Sequence, residues 1–90
     1  MLYLTALLLL ATLTTAQRLG GIDMQRACRD QYGSVFYAVR GGNGCNDWYC
    51  DANVGLENPI DVLEACKRQY EGKVLSRCEA GAEGWGCWQA

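Results

Sequence analysis

Eleven residues from Ile22 to Tyr32, I-D-M-Q-R-A-C-R-D-Q-Y, are answered by eleven from Ile60 to Tyr70, I-D-V-L-E-A-C-K-R-Q-Y, with six identities at a constant offset of 38. A Trp-x-Cys follows each copy, Trp48-Tyr49-Cys50 and Trp85-Gly86-Cys87, at an offset of 37, so the second copy has lost one net residue between helix and tryptophan. A chain with this tandem duplication folds as two similar supersecondary units that bury their apolar sides together. Residues kept in both copies are then expected to serve the fold, and contacts with a partner to lie where the copies differ.

The segment ahead of the repeats speaks to compartment. Leu2 to Leu13 is apolar except for Tyr3, Thr5 and Thr12, and it ends at Thr14-Thr15-Ala16, a small-x-small cleavage site, so residues 1–16 read as a signal peptide. The run is shorter than the about 20 apolar residues of a membrane span, and no later stretch approaches that length. A secreted, extracellular chain without stable membrane insertion is expected. Residues 17–90 then form one compact domain made of two repeats, about 21–51 and 59–88.

Such a small body buries too little apolar surface to fold comfortably on its core alone and calls for staples. Six cysteines in a short exported chain read as three disulfides. The absence of histidine and of any CxxC pair leaves zinc no good ligand set, so neither a metal nor any other cofactor is expected. Net charge is −2, with both signs interspersed, which offers no footprint for nucleic acid.

Asp23 and Asp61 stand where helix N-caps belong, and Glu64, three residues after Asp61, suggests a capping box in the second copy. Met24, Ala27, Cys28 and Gln31 then share one helix face, as do Val62, Ala65, Cys66 and Gln69, which turns one cysteine of each unit inward. The opposite faces carry Arg26, Arg29 and Asp30, then Glu64, Lys67 and Arg68, and read as solvated. Gly33 and Gly72 end the helices, Val35–Val39 and Lys73–Arg77 have strand composition, and Gly41–Gly44 and Gly81–Gly84 suit tight hairpin turns with positive φ. The fold class expected is α+β, a small disulfide-rich domain of two pseudo-symmetric helix-plus-hairpin units, (αββ)2. Asp51 to Pro59 is the polar connector.

Fifteen pairings are open to six cysteines. The duplication implies that those shared by both copies bond within their own unit, Cys28 with Cys50 and Cys66 with Cys87, which leaves Cys45 with Cys78 as a bond between units. Cys45 and Cys50 are poor partners, because five strand residues span about 16 Å and a disulfide needs Cα atoms within roughly 7 Å.

The pattern I-D-x-x-x-A-C-x-x-Q-Y with W-x-C some 16 residues later resembles a short tandem repeat of secreted bacterial and filamentous-fungal proteins. It is carried here by Ile22, Asp23, Ala27, Cys28, Gln31, Tyr32, Trp48 and Cys50, and by Ile60, Asp61, Ala65, Cys66, Gln69, Tyr70, Trp85 and Cys87. The resemblance implies a secreted protein and transfers no catalytic residue. In size and cysteine content the chain is similar to the small cysteine-rich effector-like proteins of plant-associated fungi.

Nucleophilic catalysis lacks a histidine base, and only Ser34 and Ser76 supply serine hydroxyls after residue 16. Asp47 and Glu83 precede the tryptophans, but units this small offer no deep cleft to raise the pKa of an acid. No enzyme activity is expected. Asp51-x-Asn53-x-Gly55-x-Glu57 fails the calcium-loop spacing, with Leu56 at the sixth position and Val62 at the twelfth. Trp48 and Trp85 fall on the face of Cys50 and Cys87 and are expected in the core, whereas Tyr49 and Trp88, with Tyr37 as a neighbour, fall on the other face. Candidate binding residues are therefore Tyr49, Trp88, Arg40, Asn43, Asp51, Asn53 and Glu57. The expected function is that of a secreted cysteine-rich interaction protein, a fungal effector or virulence factor acting on a host by binding an extracellular or host protein. A glycan-binding module, an antimicrobial or killer-type toxin, and a protease inhibitor presenting Arg40–Gly44 as bait are the alternatives.

Overall fold

The computed structural model describes residues 17–90, and the expected signal segment 1–16 lies outside the described residues. Elements follow in the order β1 (Arg18–Gly21), α1 (Met24–Tyr32), β2 (Tyr37–Arg40), β3 (Trp48–Asp51), β4 (Asn58–Pro59), α2 (Val62–Gln69), β5 (Val74–Cys78) and β6 (Trp85–Gln89). A single turn of 3-10 helix precedes β3 at Cys45–Asp47, and another precedes β6 at Ala82–Gly84. The protein is thus a small disulfide-rich α+β fold with two helices and two three-stranded antiparallel sheets, of strand order β2-β3-β4 and β1-β6-β5.

The helix-plus-hairpin reading omits one strand from each half. β1 leads into α1 but pairs with β6, Gly21 opposite Gly86, while β4 leads into α2 but pairs with β3, Asn58 opposite Cys50. Each hairpin takes its third strand from ahead of the other half's helix. The connector therefore ends in sheet, and Pro59, which has no N–H to donate, is tolerated because β4 is an edge strand.

Asp23 Oδ1 accepts from Arg26 N at 2.9 Å and Asp61 Oδ1 from Glu64 N at 3.0 Å, so both caps form as the sequence predicts. The capping box does not. Glu64 instead pairs with Arg68 one turn on, and the Asp61 backbone N–H donates to Gln31 Oε1 of the other helix at 2.9 Å. The strand expected over Val35–Val39 begins only at Tyr37, because Phe36 N donates to Gly33 O and closes a turn that leaves Val35 exposed. α2 stops at Gln69 with Tyr70 as its cap, and Gly72, at φ +87°, sits in the turn beyond. Gly41, Gly42 and Gly44 have no positive φ; space is what they supply, since a Cβ on Gly42 or Gly44 would run into the Asp47 carboxylate, which accepts from Gly44 N at 2.7 Å.

Disulfides join Cys28 to Cys50, Cys66 to Cys87 and Cys45 to Cys78, the pairing that the duplication implies. Cys28, Cys50, Cys66 and Cys87 are the largest fully buried side chains, each 0% exposed, and Met24, Ala27, Ala65, Val74 and Ala82 are the other buried apolar residues among those described. The core is built largely of disulfide sulfur. Leu19, Ile22 and Tyr70 close over the Cys66–Cys87 bond beside Val74.

Candidate functional site

Three contacts occur twice, at offsets of 38 and 37, and each crosses between the halves. Gln31 Nε2 donates to Asp61 O at 2.8 Å while its Oε1 accepts from Asp61 N, and Gln69 Oε1 accepts from Asp23 N at 2.8 Å. The Tyr32 hydroxyl donates to Pro59 O at 2.6 Å, and that of Tyr70 to Gly21 O at 2.9 Å. The indole Nε1–H of Trp48 donates to Ala82 O at 2.8 Å, and that of Trp85 to Cys45 O at 2.7 Å. Contrary to expectation, Trp48 and Trp85 are half-buried and stand between the halves rather than in a core. Two small crevices flank them, of about 200 and 160 Å³, and both tryptophans line each. Cys45, Pro59, Ile60 and Val62 line the first, and their counterparts Ala82, Gly21, Ile22 and Met24 the second.

Several candidate binding residues also make hydrogen bonds within the fold. Arg40 donates to Gly42 O at 2.9 Å and Asn43 Oδ1 at 2.8 Å and pairs with Glu83 across the halves. Asn43 O accepts from Ala82 N at 2.8 Å, beside Gly81, whose φ of +101° and lack of a side chain permit that approach. Asp51 is buried, and its Oδ1 accepts from Val54 N at 3.1 Å, which folds the start of the connector into a turn. Arg40 and Asn43 make these bonds while remaining exposed.

Tyr49 and Glu57 come together, lining one shallow depression of about 260 Å³ with Gly41, Asp47 and Pro59. Asn53, exposed and left-handed at φ +66°, shapes the connector between them. Trp88 lies on the other sheet, opposite Leu75 and Arg18 in register, with the Arg77 guanidinium carbon 4.9 Å from its ring centroid. Tyr49 and Trp88 are both half-buried, so the two do not form one flat aromatic surface.

What the sequence reading missed is the connector's apolar display. Val54 is 67% exposed and Leu56 63%. Asp51 holds the connector at one end, and Asn58 Nδ2 holds it at the other by donating to Cys50 O at 3.1 Å and Leu56 O at 3.4 Å. The available signal was two branched apolar residues in an otherwise polar linker. Among the described residues there is no group of three or more His, Cys, Asp or Glu arranged to hold a metal ion, and no described helix is long and apolar enough to cross a membrane.

No family model, curated protein or solved structure matches this chain.

Proposed function

We propose that this chain is a secreted cysteine-rich interaction protein, a fungal effector or virulence factor that acts on a host by binding an extracellular or host protein, and that residues 1–16 are its signal peptide. The observation that carries this reading is the pinned connector. Val54 and Leu56 stand out from a loop held at both ends by side-chain hydrogen bonds, so they meet a partner already ordered and lose little conformational freedom on contact. The Tyr49–Glu57 depression adjoins the same loop and adds an aromatic ring and a carboxylate. Three disulfides in so small a body favour persistence in an oxidising, protease-rich surrounding. The two halves are read as pseudo-symmetric (αββ)2 units with exchanged first strands, and the doubled contacts and paired crevices support that reading. Glycan binding draws less support, because Tyr49 and Trp88 stand on different sheets.

The test is capture of host extracellular proteins by the oxidised protein and by Val54→Asp/Leu56→Asp, alongside polysaccharide pull-downs and host colonisation by a deletion strain. A retained host protein that the double variant loses, with reduced colonisation on deletion, is the expected result. Firm chitin or cellulose retention with unchanged colonisation would make the protein a glycan-binding module instead, and turnover of a substrate would refute the non-enzymatic reading.

A further inference from the structure

Both β2 and β5 are edge strands, yet only one is closed. In the β5–β6 ladder Ala90 N donates to Lys73 O at 2.8 Å and Glu79 N to Gly84 O at 3.1 Å, so the odd positions Lys73, Leu75 and Arg77 turn their backbone groups toward β6. Alternation in an antiparallel pair then aims the N–H and C=O groups of Val74 and Ser76 outward, where nothing among the described residues pairs with them. At the equivalent place in the first half, Gln25 closes the edge of β2: its Nε2 donates to Phe36 O at 3.3 Å and its Oε1 accepts from Ala38 N at 3.0 Å. The offset of 38 makes Leu63 the counterpart of Gln25, and Val74 and Ser76 those of Phe36 and Ala38. Leu63 has no group with which to bond a backbone, and it is itself partly exposed.

Chemistry at the open edge is distinctive in a chain of net charge −2. Val74 packs inward on the Cys66–Cys87 bond, so Lys73, Leu75 and Arg77 fall on the outer face of the sheet. Arg77 lies over Trp88, and Arg18, opposite Trp88 in register on the neighbouring strand, sets its guanidinium against Gly86, about 3.0 Å from where a Cβ would be. Acidic neighbours in sequence, Glu71 and Glu79, only flank the two ends of the strand.

We propose that the edge of β5 is a docking site for an extended acidic peptide segment of a partner protein, which adds to the sheet as a fourth strand. Free backbone groups call for a strand, alternate carboxylates on the outer face meet Lys73 and Arg77, and apolar residues between them meet Leu63. A second copy of this chain is a poorer occupant, because pairing β5 with itself gathers two sets of Lys73 and Arg77 on one face. The site is independent of the connector, which borders the other sheet.

The probe is an end-blocked Glu-Val-Glu-Val-Glu-Val peptide added to the oxidised protein, with Lys-Val-Lys-Val-Lys-Val as control, followed by amide NMR. Expected are shifts centred on β5, slowed exchange of the Ser76 amide on binding, no response to the lysine peptide, and at least tenfold weaker binding to Arg77→Glu. Leu63→Gln, which supplies the closure that Gln25 gives β2, should abolish binding with no loss of thermal stability. Equal binding of both peptides, unaltered binding to Leu63→Gln, or a Ser76 amide already slow in the free protein would overturn the proposal. So would a dimer in sedimentation that Leu63→Gln dissolves, which would assign the edge to a second copy.

Discussion

At the scale of single residues, the recurring Gln, Tyr and Trp side chains bond across from one half to the other. Gln31 bonds both the N–H and the C=O of Asp61, whose C=O also accepts from Ala65 N, so Gln31→Ala takes the partner from the exposed Asp61 N–H alone and should cost about 0.5–1.5 kcal/mol, read as a lowered denaturant midpoint. Trp48→Phe keeps a ring but removes the donor to Ala82 O, and about 1 kcal/mol or more of stability should go with it. Arg40 and Glu83 are not equivalent partners despite their ion pair. The pair is solvent-exposed and worth little by itself, whereas Arg40 also holds Gly42 and Asn43, so Arg40→Ala should lower the melting temperature more than Glu83→Ala does. Equal effects would mean that the hydrogen bonds to Gly42 and Asn43 contribute nothing.

At the scale of elements, the connector and the two edge strands are where the halves differ. Asp51→Ala removes the acceptor for Val54 N while leaving β3 paired on both sides, so the fold should persist and the loop should loosen. Hydrogen exchange at the Val54 amide is the measurement, with faster exchange expected there and little change at Cys50. The helices were legible in the sequence because an Asp cap and a 3.6-residue apolar stripe are local signals. β1 and β4 were not. Four and two residues long, they have no periodicity of their own and become strands only because β6 and β3 offer a free side.

At the scale of the whole molecule, the disulfides serve as both staple and core. The Cys45–Cys78 bond is partly exposed and joins the halves, and replacing both residues by Ala should cost about 3–4 kcal/mol through the freed chain. Replacing Cys28 and Cys50 should cost more, since it also empties a fully buried site, and thermal melts of the two double variants give the comparison. Should the two prove equally destabilised, the buried bond would be acting as a tether alone.

The sequence by itself determined the two helices, their caps and the three disulfide partners, because capping, periodicity and repetition act over short distances or through a fixed offset. Tertiary structure alone decided the pairing of β1 with β6 and of β4 with β3, the use of Gln31, Gln69, Tyr32, Tyr70, Trp48 and Trp85 between halves, and the bonds that Arg40, Asn43 and Asp51 make within the fold. A side chain's own residue type states which hydrogen bonds it can make. Only the packing of the halves states which distant backbone group lies within reach, and therefore which residues remain free to meet a partner.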